Sequence, residues 1–342
     1  MILNYLKYMN RAYNLKHNNH KYKKLELTCN LCNSSDHELI TSKDYEDYKS
    51  FKVLCRECGL IYSNPVPTLE GLELYYEQKS ERYSGEIFIP KLRRIYRSAL
   101  RAIYRYNRIK HYLKKGINVL DSSACIGEFV YLLEQKGSHA IGVEHNNYLI
   151  QYARNELKIN IERHFLDNIK MPEETFDIIT AYHILNLCLN PLEVLKKYWS
   201  FLKTDGILNL EVPNIDARHI APYHRFRFKY FYNFNLHTIK MLARRAGFEV
   251  VNTIIIPKSM HINMILKKGE PYQDEVSDAQ NYVMVRNSII GYKSLNFLVS
   301  PLPYLKAMDN IKKYMVLNKA VKEYSSGKEI LDDCFAKIPE FK

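Results

Sequence analysis

The sequence predicts an α/β chain built on a doubly wound, mostly parallel sheet, with a small cysteine-held module before it and a helical extension after it. Three observations predict this. Across residues 117–268 short β-rich runs alternate with helical stretches, the signature of strand–helix–strand units. Two Cys-x-x-Cys pairs stand within residues 25–75, and residues 269–342 read as mainly helical with a break at "SPLP". At 342 residues the chain is long enough for one large domain and a smaller one.

Composition narrows the function. Charged residues at 25% and hydrophobic residues at 46% are ordinary for a globular protein. A net charge of +13 favours anionic partners, whether nucleic acid, a nucleotide-linked sugar or an acidic membrane surface. Nowhere does the chain hold the run of about 18 apolar residues that a membrane span needs. The start, "MILNYLKYMNRAYNLK", is amphipathic and lacks the cleavage features of a signal peptide. Seven cysteines, four of them in the two pairs, suit a reducing compartment, so the chain reads as cytoplasmic.

Taken in order, residues 1–24 are a basic lead-in read as one helix. Residues 25–75 carry "CNLC" (Cys29, Cys32) and "CREC" (Cys55, Cys58), 22 residues apart. Two such knuckles offer four thiolates to one tetrahedral Zn²⁺, which predicts a zinc ribbon. With every position filled by sulfur, the metal is expected to stabilise the fold and to take no part in chemistry. Residues 76–116 form a helical connector. After Pro90, apolar Leu92, Ile95, Ala99, Ile103, Tyr106 and Leu113 recur at helical spacing, with Arg93, Arg97, Arg101 and Arg105 on another face. That arginine stripe is a wet helix face, a lining of the acceptor pocket, or a patch that steers anions. Residues 117–268 supply the strands "INVLD", "HAIGVE", "INIERHF", "FDIITAY", "GILNLEV" and "FEVVNTIII", with helices at 128–137, 147–157, 191–203 and 236–246.

The stretch "VLDSSACIGEF" carries the first chemical signal. An apolar strand ends in Asp121, small residues follow, and a single glycine, Gly127, precedes an apolar helix start. A small-residue turn at the carboxyl end of a parallel strand lets the backbone approach a ligand closely. Glu144 ends the next strand, 23 residues after Asp121, where a carboxylate can accept hydrogen bonds from both hydroxyls of a ribose.

In this order, "CGLIYSNPVPTLEGLELYY", "VLDSSACIGEF", "AIGVEHNNYLIQYAR", "FDIITAYHILNLCLNPLEVLKKYWSFLKTDGILNLEVPN" and "LHTIKMLARRAGFEVV" resemble the class I S-adenosylmethionine-dependent methyltransferases with an N-terminal zinc ribbon. The resemblance covers roughly residues 29–252 and implies a Rossmann-like fold. It implies a nucleoside site at Asp121, Ser123, Ala124, Gly127, Glu144 and His145, with Asp167 and Asn168 meeting adenine. Tyr182 and His183 then stand where the activated methyl is presented. For Glu144 the alternative is a turn acid, for Asp167 a helix cap, for His183 a structural histidine.

Several positions depart from the family. Its loop reads D-x-G-x-G-x-G, and here Ser123 and Cys125 replace two glycines; a non-glycine residue forced to positive φ costs about 1–2 kcal/mol, which weakens binding without abolishing it. Asn186 and Leu187 replace a Glu-His pair, and Tyr230 stands for a later histidine. The candidate bases are therefore His183 and His224, with Tyr182 beside them and Tyr223 behind. "APYHRFRFKYFYNF" mixes aromatics with Arg225, Arg227 and Lys229, able to cover an acceptor and grip an anionic group. The expected activity is methyl transfer to a small molecule, a sugar or metabolite hydroxyl. A binding or scaffolding pseudoenzyme and an RNA or protein methyltransferase are the other readings.

Overall fold

The computed structural model describes residues 23–43, 49–80, 89–217, 225–257, 259–271, 278–291 and 297–339. The expected lead-in helix and the candidates Tyr223 and His224 lie outside these residues. A seven-stranded sheet forms the centre, in the order β12–β13–β10–β9–β6–β7–β8. Its strands are β6 (Asn118–Asp121), β7 (His139–Glu144), β8 (Ile161–Arg163), β9 (Phe176–Tyr182), β10 (Leu202–Val212), β12 (Phe248–Ile255) and β13 (Ile262–Lys268). The five strands from β6 to β10 run parallel. This is the Rossmann-like sheet expected from the sequence, with one addition.

The addition is β13, which runs antiparallel to both β10 and β12. Its first five residues are all buried, so the apolar–polar alternation that marks a half-exposed strand is missing. Asn263 interrupts what would otherwise be an apolar run, buried with its amide donating to Asn209 of β10.

Alternate residues of the strands feed two apolar layers, as a period of two demands. Val119, Ile178, Ile207 and Ile265 face one side, under α2 (Leu92–Ile109), α3 (Glu128–Gln135) and α9 (Gly327–Ala336). Leu120, Ile179, Leu208 and Leu266 face the other, under α5 (Pro191–Phe201) and α6 (Leu236–Arg245). The helix expected over 147–157 is α4 (Asn147–Tyr152), whose last turns widen into a π-helix at Ala153–Leu157. α2 is thus a layer of the sheet domain, not a connector outside it.

The cysteine module is a ribbon of β2 (His37–Lys43), β3 (Lys49–Cys55) and β4 (Ile61–Ser63), flanked by the short antiparallel pair β1 (Lys24–Leu25) and β5 (Val66–Pro67). A short strand from between β10 and α6, β11 (Tyr232–Asn233), pairs with β4 and completes a four-stranded sheet. Helix α7 (Ala279–Gly291) lies against the same module. Its fully buried Asn281 donates to the Cys58 carbonyl at 2.7 Å and accepts from Asn235 at 2.7 Å. Gly59, at φ 74°, admits this contact, since a Cβ there would stand 2.6 Å from the Asn281 amide. Ribbon, sheet domain and extension therefore share buried contacts, and α1 (Leu69–Ser80), which leaves the ribbon, passes over the carboxyl ends of the sheet.

Candidate active site

The sheet's order reverses between β6 and β9, and a cavity of about 530 Å³ opens at the carboxyl ends of β6, β7 and β9. Glu144 governs its floor. One carboxylate oxygen accepts from the backbone amides of His145 at 2.9 Å and Asn146 at 3.0 Å, while the other accepts from the loop amide of Cys125 at 3.1 Å. The acid at the end of β7 thus holds the loop that follows β6. Cys125 sits at φ 51°, in the left-handed region, while Ser123 does not. One of the two missing glycines therefore carries strain, at about 1–2 kcal/mol, and the Glu144 hydrogen bond helps hold the strained residue.

The structure sorts the expected nucleoside contacts into two groups. Ser123, Glu144, His145 and Asp167 line the cavity. Asp121, Ala124, Gly127 and Asn168 do not. Asp121 is buried and accepts from the Thr180 hydroxyl at 2.9 Å, tying β6 to β9. Ala124 is buried, with its amide donating to the Val143 carbonyl at 2.9 Å. Gly127 caps α3 at φ 81°, and a Cβ there would come within 2.3 Å of Ile159, so this glycine serves packing. Asn168 is exposed. Asp167 also braces a loop, accepting from the amides of Leu189 at 2.9 Å and Asn190 at 3.0 Å.

Aromatic and basic side chains complete the cavity lining. The His145 ring centroid lies 4.5 Å from that of Tyr76 and 5.2 Å from that of Phe165, so α1 and the segment after β8 pack an aromatic cluster beside Glu144. Arg101 and Arg105 reach in from α2. The Arg105 guanidinium lies 4.0 Å above the Tyr182 ring. At the other end of the stripe Arg93 packs on Tyr314 and bonds Asn318, both from α8 (Leu302–Ala320). The stripe is therefore divided between the cavity and the extension. Leu187 lines the cavity and Asn186 is sealed in the core.

A second cavity, of about 490 Å³, meets the first at His183. Arg225, Arg227, Tyr230 and Lys306 line it, so it is basic; Lys229 faces the first cavity. His183 itself takes a left-handed backbone, φ 58°, and its amide donates to the Glu211 carbonyl at 2.8 Å. Its Nε2 lies 2.8 Å from Glu211 Oε1, and His261 Nδ1 lies 3.6 Å from the same oxygen. Burial pushes the His183 pKa down, against the pull of Glu211. Burial also pushes Glu211 up, but the hydrogen bonds from His183 and His261 and the charge of Arg105 outweigh it and bring Glu211 to about 2. Neither Glu211 nor His261 carried a recognisable motif.

Tyr182 does not present its hydroxyl for proton transfer. Burial raises its pKa far above the ordinary phenol value. Its hydroxyl accepts from Asn209 at 3.0 Å, Asn209 accepts from Asn263 at 2.9 Å, and Asn263 accepts from Arg108 at 3.3 Å. This chain gives the buried Asn263 of β13 its partners.

At the ribbon, Cys29 Sγ and Cys58 Sγ are 3.5 Å apart, Cys32 Sγ and Cys55 Sγ 3.4 Å apart, and all four sulfurs lie within 4.8 Å of one another. Each knuckle turns on a left-handed residue directly after its second cysteine, Asn33 at φ 62° and Gly59 at φ 74°. Four converging thiols of this spacing suit a tetrahedral metal ion.

Residues 92–253 match a family described as a methyltransferase domain. No curated protein matches the chain. Among solved structures, an S-adenosylmethionine-dependent methyltransferase from Mesorhizobium loti is 13% identical, with coverage of 48% of this chain and 97% of that one and a TM-score of 0.43. A Pyrococcus horikoshii protein is 19% identical, covering 55% and 98%, with a TM-score of 0.45. A methyltransferase from Aquifex aeolicus is 18% identical, covering 47% and 87%, with a TM-score of 0.40.

The buried Asp121 yields a test. Burial raises its pKa from the ordinary 3.8 to about 6, against the charge of Arg105 and the Thr180 hydrogen bond. Between about pH 4 and 6 the unfolded chain has released this proton while the folded chain still holds it, so this group's contribution to stability is lost as pH rises through that window. Asp121→Asn removes the loss. Urea unfolding of the ligand-free protein should show the variant gaining ~1–3 kcal/mol over the parent between pH 4 and 7; a difference that stays flat with pH would contradict the assignment.

Proposed function

We propose that this chain, whose residues 92–253 match a methyltransferase-domain family, moves a methyl group from S-adenosylmethionine to a small-molecule acceptor with an anionic group. The observation that carries the reading is the meeting of two cavities at His183, one floored by Glu144 and the other lined by arginine and lysine.

In this reading Glu144 takes the ribose. An ionised carboxylate offers about four lone-pair sites; three backbone amides occupy three of them, which leaves one, on the oxygen that holds the Cys125 amide, for a ribose hydroxyl. The cluster of His145, Phe165 and Tyr76 offers a flat adenine an aromatic surface to lie against, and Arg101 and Arg105 suit the carboxylate of the methionine part. Asp167 lines the same cavity. Bound S-adenosylmethionine supplies an electrophilic methyl with a neutral leaving group. The protein's own contribution is to align the nucleophile and exclude water. Arg225, Arg227 and Lys306 hold the anionic group of the acceptor in the second cavity. An acceptor hydroxyl must also lose a proton, and the group of His183, Glu211 and His261 stands at the junction where that proton leaves. We further propose that Cys29, Cys32, Cys55 and Cys58 hold a structural zinc ion.

The ribbon also shapes the cofactor cavity, because Leu72 and Tyr76 reach it on α1. Zinc chelation should therefore lower Tm by ~5 °C or more and weaken S-adenosylhomocysteine binding as well. Chelation that leaves both unchanged would contradict the zinc assignment. Two substitutions separate binding from chemistry. Calorimetry should find S-adenosylhomocysteine affinity reduced ~10–100-fold in Glu144→Ala. His183→Ala should keep that affinity within ~5-fold and cut turnover of S-adenosylmethionine ~100-fold or more. Equal losses of affinity in both variants would remove the division of labour.

A further inference from the structure

We propose that His183, Glu211 and His261 form a binding site for a divalent transition-metal ion in the wall of the acceptor cavity, separate from the four-cysteine centre. The three residues are distant in the chain and adjacent in the sheet. His183 follows β9, Glu211 lies near the end of β10, and His261 precedes β13, while β10 runs between β9 and β13. The antiparallel strand is what brings His261 to the carboxyl ends of its parallel neighbours.

The geometry is that of converging ligands. One ligand atom from each residue lies within 4.8 Å of the others. Glu211 Oε1 is 2.8 Å from His183 Nε2 and 3.6 Å from His261 Nδ1. Around a first-row ion with ligands at ~2.1 Å, neighbouring donors stand ~3.0–3.4 Å apart, a range those two separations bracket. The two rings meet edge to face with centroids 4.4 Å apart, so they do not stack and block the centre. His183 holds its orientation through a strained backbone and its bond to the Glu211 carbonyl. Backbone strain of this kind in a non-glycine residue persists where surrounding structure imposes it.

The donor set selects the class of ion. Two imidazoles with one carboxylate suit Zn²⁺, Fe²⁺ or Co²⁺, where all-oxygen sites suit Mg²⁺ or Ca²⁺ and thiolate sites suit softer ions. Both imidazoles line the acceptor cavity, so the remaining coordination positions face the acceptor. An ion so placed binds an acceptor oxygen and lowers the pKa of its proton. That role rests on the methyltransferase reading; the site itself does not.

Co²⁺ titrated into the zinc-loaded full-length protein tests the site by visible absorption. The expected result is one added equivalent with weak d–d bands and no intense thiolate-to-cobalt absorption. Affinity should fall ~10-fold or more in Glu211→Gln and His261→Ala, with His261→Gln as a variant of similar size. S-adenosylhomocysteine calorimetry on the same samples reports folding and the cofactor site independently. No added equivalent, thiolate-type bands, or Co²⁺ binding that survives these substitutions would overturn the metal site. Absence of S-adenosylhomocysteine binding with intact Co²⁺ binding would overturn the methyltransferase reading alone.

Discussion

The Glu144 carboxylate is the constraint on which the rest of the site depends. It bonds the amides of its own strand end and the amide of Cys125 across the crevice. A loop with three glycines could take left-handed turns at no steric cost; this loop keeps one, at Gly127, and spends it on packing against Ile159. The left-handed Cys125 is held in place by a hydrogen bond to a charged acceptor, the stronger kind. The side chain proposed to take the ribose is thus also a brace of the loop, and binding and local stability are linked through one carboxylate.

The surrounding architecture closes the same crevice from three directions. The ribbon sends Tyr76 in on α1, α2 sends Arg101 and Arg105, and the extension brings Lys306 to the second cavity. Buried Asn281 joins extension to ribbon, and β11 joins the sheet domain to the ribbon's sheet. Segments that composition separates along the chain meet around the site. The ribbon is consequently more than a remote stabiliser, and the C-terminal helices are part of the core as well as a cover: α9 buries Ile330, Leu331 and Phe335 under α2.

Much of the fold was legible because it is local. Apolar runs ending in an acid marked β6 and β7, and helical spacing marked α2. β13 escaped because its leading residues are buried on both faces and carry a buried asparagine. Of the residues that motifs marked for the nucleoside, Ser123, Glu144, His145 and Asp167 line the cavity. Asp121, Ala124, Gly127 and Asn168 stand away from it, in packing or solvent. Glu211 and His261 were invisible in sequence, since only strand order makes them neighbours of His183. The arginine stripe could not be divided in advance, because which end of α2 meets the crevice depends on how the helix lies on the sheet.

A crystal structure grown with saturating S-adenosylhomocysteine decides whether Glu144 holds the nucleoside. The nucleoside should lie at the ends of β6 and β7, with a ribose hydroxyl on Glu144, its adenine beside His145 and Phe165, and its sulfur toward His183. A crevice empty of ligand, with the side chains of Ser123 and Cys125 filling the nucleoside's place, would contradict that placement.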